Sequence, residues 1–200
     1  MSNFLAIDTS SRYLTVLAQK GEKVALRHLP ECAMQHSVVL MGEVEKALNE
    51  LNLAPCDCDF FAAVTGPGSF TGIRIGIATA KGFALGAGKP LLSLTAFDMI
   101  AYNVNSEKFF VVIDAAHSHY YVCGYGKGKE IILNPCYMDE AAVKELGAPL
   151  YGFEELPFEN YTRLNVKDCL HPAICHSCGN LSNDMQALYV RKSQAEEGRK

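Results

Sequence analysis

Apolar residues along the chain fall into short compact runs and longer periodic ones. FLAI (4–7), LTVLA (14–18), FFAAV (60–64), FVVI (110–113) and YYVCGY (120–125) are short, bounded by polar or turn-forming residues, and predict β-strands. Residues 24–26, 90–94 and 131–133 predict further strands. Across residues 33–53, Met34, Val38, Met41, Val44, Leu48 and Leu51 recur at helical spacing. Val39, Leu40 and Ala47 widen that apolar surface, and Glu43, Glu45, Lys46 and Glu50 supply a polar face. Residues 96–103 predict a short helix, and residues 139–146 a capped helix stopped by Gly147. A last helix is expected to begin near Pro172, because proline suits a first helical position, and to precede an extended tail at 187–193. Residues 148–165, rich in Pro, Gly and aromatics, receive no element.

The strand pattern occurs twice. Each copy starts with an apolar run ending in aspartate, Asp8 or Asp114, followed by a short turn (TSSR or AAHS) and a second apolar run. A Gly- and Lys-rich turn and a third strand follow in both places. Three strands joined by tight turns make an antiparallel meander, and its recurrence indicates an internal duplication. Strands then alternate with helices, so the predicted class is α/β with two lobes, each a mixed sheet flanked by helices. The expected division is 1–103 and 104–200, with a hinge at 103–108 and the tail returning to the first lobe.

Composition narrows the function. The 200 residues are 49% hydrophobic and 20% charged, with a formal net charge of −4. There is no long basic run, and the basic end at 192–200 is offset by its own glutamates, so tight direct nucleic-acid binding is not expected. The eight cysteines lack a secreted framework's even spacing, and the start lacks a leader pattern; a cytoplasmic protein with reduced thiols is expected. The most apolar stretch, 73–87, is short for a membrane span and reads as a buried helix.

The most informative segment is 64–88. Gly66-Pro67-Gly68 forms a tight turn, Ser69 or Thr71 can cap the helix that follows, and such a helix start is a possible anion site. Generic motifs fail here. Thr71 stands where a dinucleotide fingerprint needs glycine, Phe83 and Pro90 break a phosphate loop around Lys89, and Pro67 and Thr71 flank Ser69 where a nucleophile elbow needs glycines. The helix carries Gly72, Gly76, Ala78, Ala80, Gly82, Ala84 and Gly86. Each interior glycine costs about 1 kcal/mol of helix propensity relative to alanine. Burial on more than one side offsets that, either inside the chain's own domain or against another subunit, where two helices from each side could form a four-helix bundle.

GPGSFTGIRIG (66–76), the small-residue helix and Pro90 resemble the signature of the TsaB family. IDTS at 7–10, His36-Ser37, IDA at 113–115 and LYVR at 188–191 match in order. The chain departs from the family's usual pattern at Ala116, at Ala187 and in the Cys- and His-rich segment 169–178. The resemblance implies an actin-like (ribonuclease H-like) duplicated fold and a non-catalytic subunit. That subunit is required for threonylcarbamoylation of the adenosine 3′ to the anticodon in tRNAs reading codons that start with A. Implied partners are the catalytic subunit TsaD and the ATPase subunit TsaE, with possible homodimerisation through the same helical face, tRNA contacted only indirectly, and no membrane or cofactor. The implied interface uses the first long helix and the glycine helix, at His36, Leu40, Val44, Gly72, Arg74, Gly76 and Ala80. On that reading Gly76→Leu would weaken partner binding.

The alternative is an enzyme acting alone, an actin-like ATP-dependent kinase or a peptidase-like hydrolase. The catalytic relative binds metal through two histidines four apart on one helix face; here Leu40 follows His36 at that distance, so no metal site is expected, and His36 reads as a capping or interface residue. Asp8 and Asp114 could hold a magnesium nucleotide, but AAHS supplies few donors, and both read as bracing their own turns. Cys169, His171, Cys175, His176 and Cys178 contain only one CxxC, which is weak for zinc; they read as ordinary helix residues. No catalytic residue is assigned.

Overall fold

The computed structural model describes residues 2–191; the offset basic end at 192–200 lies outside them. Two compact units emerge. One runs through Ala96 and takes back Ile174–Ala187; the other comprises Phe97–Ala173 and, of the described residues, 188–191.

In the first unit β1 (Phe4–Asp8), β2 (Leu14–Lys20) and β3 (Lys23–Leu29) form the expected meander, with β1–β2 and β2–β3 antiparallel. Then come α1 (His36–Glu50), β4 (Phe60–Val64), α2 (Phe70–Ala87) and β5 (Leu91–Leu94). β4 runs parallel to β1, and β5 parallel to β4, giving the order β3-β2-β1-β4-β5. β1 and β4 are buried along their whole length, which is why their sequences are continuous apolar runs rather than alternating ones. Leu5, Ile7 and Phe61 of the sheet meet Leu40, Val44 and Leu48 of α1 and Ala80 and Ala84 of α2 in one core.

α3 (Ala96–Ala101) leads into the second unit, where β6 (Phe109–Asp114), β7 (His119–Tyr125) and β8 (Ile131–Asp139) repeat the meander. α4 (Glu140–Lys144) follows, capped by Asp139, whose carboxylate accepts from Ala142 N at 2.8 Å. β9 (Leu150–Gly152) pairs parallel with β6, and β10 (Tyr161–Arg163) parallel with β9. Read from β8, the second sheet has the order β8-β7-β6-β9-β10, the same as the first. The duplication is therefore structural as well as sequential, and the fold is a mixed α/β duplicated frame. The second copy is reduced: residues 153–160, between β9 and β10, carry no helix corresponding to α2.

Two expectations need correction. The last helix, α5 (Val166–Ser177), starts well before Pro172 and contains it. Its buried positions Val166, Cys169, Leu170, Ala173 and Ile174 follow helical spacing through the proline, so packing outweighs one lost backbone hydrogen bond. The unassigned region 148–165 contains β9 and β10, each only three residues long. Among the described residues, no helix is long and apolar enough to cross a membrane.

Candidate functional site

The GPGSFTG turn is built against the loop after β1. The Gly66–Pro67 peptide is cis, and Gly66 has φ 106°, a backbone region closed to most side chains. Thr65 N donates to Leu94 O at 2.7 Å and Ala96 N to Gly66 O at 2.8 Å, fixing the turn to the end of β5. Ser69 caps α2, its Oγ accepting from Gly72 N at 3.2 Å. Ser69 N donates to Ser10 O at 2.7 Å.

The glycines are explained by this contact. A Cβ on Gly68 would sit 2.1 Å from Ser10 O, one on Gly72 1.9 Å from Thr9 O, and one on Gly76 2.6 Å from Thr9 Oγ1. That hydroxyl donates to Gly72 O at 2.7 Å. The start of α2 therefore lies directly on the Thr9–Ser10 backbone. The anion site considered from sequence does not suit this geometry. The amides of Ser69 and Gly72 are already engaged, and two carbonyl oxygens face the glycines, where an anion would be repelled.

Asp8 and Asp114 make the same local turn. Asp8 Oδ1 accepts from Ser10 N, and Asp114 Oδ1 from Ala116 N, both at 2.9 Å. Their surroundings differ. Asp114 is exposed, whereas Asp8 is fully buried. Burial raises the Asp8 carboxyl above its usual range; Ser10, Tyr13 and His36 oppose that without cancelling it. Ala116, His117 and Ser118 all take positive φ, so the AAHS turn is left-handed where TSSR is not.

The residues expected at an interface separate sharply. His36, Leu40, Val44, Gly72, Gly76 and Ala80 are buried inside the first unit. Leu40, Val44 and Ala80 belong to its core, and the His36 ring nitrogen Nε2 lies 2.9 Å from Tyr13 O. His36 neither caps α1, whose cap position is Gln35, nor reaches solvent. Of the seven, only Arg74 is exposed, its guanidinium 5.5 Å from the Phe70 ring centre. Leu40, Val44 and Ala80 thus pack into the core with the sheet, Gly72 and Gly76 lie on Thr9, and His36 is turned to Tyr13 O, because residues at that spacing on α1 and α2 face inward.

The opposite faces of the same helices are left open by the described residues. Val38 and Met41 of α1 and Leu85 of α2 are 80%, 53% and 87% exposed, and Met34, just ahead of α1, is 98% exposed. Met41 also lines an apolar groove of about 550 Å³, together with Pro55, Cys56, Thr79, Phe83 and Gly86, among others. The half-buried Phe83 ring stacks on Phe61 of β4 at 5.6 Å. α2 has a second line of small residues on this side, Ala78, Gly82 and Gly86, all exposed. A Cβ on Gly82 or Gly86 would meet nothing within 4 Å. Sequence reading placed Met34, Val38 and Met41 in one stripe with Val44 and Leu48; the available signal was that α1 has more apolar residues than a single face can hold. A titratable cluster able to hold a metal is not found among the described residues.

This geometry can be set beside known proteins. A family model described as "TsaD: tRNA N6-adenosine threonylcarbamoyltransferase" matches residues 28–160. The "tRNA threonylcarbamoyladenosine biosynthesis protein TsaB" of Bacillus subtilis is 33% identical over 99 residues, 50% of this chain and 43% of that protein. Its Escherichia coli namesake is 29% identical over 144 residues, 66% of this chain and 62% of that one. A tRNA N6-adenosine threonylcarbamoyltransferase of Maricaulis maris is 46% identical over 67 residues, 33% of this chain and 18% of that enzyme. Each match thus spans less than two thirds of the relative's own length. The solved structure of YeaZ from Pseudomonas aeruginosa superimposes with a TM-score of 0.75 at 22% identity, covering 94% of this chain and all of that one, which shows a shared fold. A duplicated α/β frame, the glycine motif seated on the first loop and these matches together place the chain in the TsaD family, among its TsaB (YeaZ) members.

Proposed function

We propose that this chain is a non-catalytic accessory subunit in threonylcarbamoylation of the tRNA adenosine 3′ to the anticodon, docking the catalytic subunit TsaD through the outward face of α1 and α2. The observation that carries this reading is the exposed apolar side chains Val38 and Met41 of α1 and Leu85 of α2, with the apolar groove that Met41 lines beside them. Large apolar side chains gathered on one face mark a surface that is covered in an assembly. The outer small-residue line of α2 supports close helix approach there, as two helices packing on two from another subunit require. The same face is suited to pairing two copies when the partner is absent. TsaE joins as the ATPase subunit, and tRNA is held by the partners, in keeping with a net charge of −4. The chain acts in the cytoplasm and brings no cofactor of its own.

The reading as an independent ATP-dependent enzyme has less support. The sealed Asp8 offers no carboxylate to a magnesium nucleotide as placed, and carbonyls face the start of α2. Reconstitution tests the proposal: TsaD, TsaE, the adenylate-forming enzyme, tRNA, threonine, bicarbonate and ATP, with and without this chain. Modified adenosine should depend on the chain, which alone should turn over no ATP. Equal modification without it would overturn the accessory role.

A further inference from the structure

Two exposed cysteines, Cys175 in the last turn of α5 and Cys178 in the turn that directly follows it, stand in a Cys-His-Ser-Cys sequence. Residues three apart on an α-helix have Cα atoms about 5 Å apart, inside the roughly 4.4–6.8 Å that a disulfide spans. The Cys178 thiol turns back over the last turn and donates to Cys175 O at 3.3 Å. Partial burial and then the nearby Cys178 push the Cys175 thiol upward. Cys169, in the same helix, is buried and turned to Asn165 O at 3.3 Å.

We propose that Cys175 and Cys178 form a dithiol–disulfide pair that exchanges with low-molecular-weight disulfides of the glutathione class. In the first step one thiolate attacks a sulfur of the small disulfide; a protein–glutathione disulfide forms and one glutathione thiolate leaves. In the second, the other cysteine, deprotonated, attacks the protein sulfur and expels the second glutathione thiolate. The small disulfide gains two electrons and leaves as two thiols after protonation; the two cysteines lose two electrons and two protons and become joined.

The ring would close where the chain leaves α5. From there it runs along β5, with Ser182 and Leu91 exchanging hydrogen bonds at 2.8 and 2.9 Å. Asp184 pairs with Lys81 of α2 at 2.7 Å, and Met185 is buried in the first unit's core. Oxidation therefore tethers the root of a strap packed on that unit. Cys56 is a built-in control. It is exposed, but its nearest cysteine in sequence, Cys58, is fully buried, so it can only accumulate a mixed disulfide.

The reduced full chain is incubated with oxidised glutathione, blocked with N-ethylmaleimide, and analysed by intact and peptide mass. The peptide holding Cys175 and Cys178 should be two hydrogens lighter and carry no glutathione, while Cys56 carries one. Cys175→Ser and Cys178→Ser should each stop with glutathione on the remaining cysteine. Glutathione persisting on Cys175 or Cys178 in the unsubstituted chain would overturn the proposal, as would both remaining alkylated, or their pairing between chains.

Discussion

Gly76 and Gly82 lie on opposite sides of α2, and substitution should separate their roles. Gly76 is pressed on Thr9, with 2.6 Å between its would-be Cβ and the Thr9 hydroxyl. Gly76→Leu should therefore destabilise the chain by about 3 kcal/mol through overpacking, measured by denaturant unfolding. From the sequence the same change is expected to weaken partner binding by pushing the helices apart; the contact with Thr9 adds a loss of stability within the chain. Gly82→Leu meets open space and should leave unfolding within about 1 kcal/mol of the parent. Its effect should fall on partner affinity. Asp8 gives a pH-dependent prediction. Its folded-state pKa is raised, so the stability linked to its protonated form is present below the ordinary carboxylate range, about pH 4, and is lost as pH rises through the folded value. Asp8→Asn keeps an acceptor for Ser10 and removes the buried charge. Its melting temperature should exceed the parent's at pH 7.5, with the gap closing toward pH 4. A gap that is constant with pH would show that the carboxyl does not titrate as its burial demands.

Element by element, the sequence was most legible where burial is two-sided. β1, β4 and β6 read directly because central strands are continuous apolar runs, broken in β1 and β6 only by the terminal Asp8 and Asp114. The cap of α2 was legible too, and Ser69→Ala should cost about 1 kcal/mol, read as a lowered unfolding midpoint. Short strands such as β9 and β10 escaped because three residues give no period to detect. Pro172 suits a helix start, yet α5 begins at Val166, because the buried set from Val166 to Ile174 carries helical spacing across the proline. The candidate site was half legible. The choice of helices came from the glycine motif, but which face of α1 turns inward depends on where the sheet lies. Leu40 and Val44 face that sheet, while Val38 and Met41 do not. Local spacing fixes which residues share a face, and only the assembled sheet decides which face is core.

For the whole molecule, duplication and asymmetry matter together. Both units have the same strand order, yet only the first has a helix between its fourth and fifth strands, and that helix carries the motif. The outward faces of α1 and α2 form the surface on which the proposed function rests. The most direct test is equilibrium binding to TsaD by the parent and by Val38→Asp/Leu85→Asp, with thermal unfolding of both. The parent should form a stable complex. The exposed double variant should melt as the parent does and bind at least tenfold more weakly, a loss of ~1.4 kcal/mol or more. Equal binding by the two, or no complex with the parent, would contradict the assignment of this face.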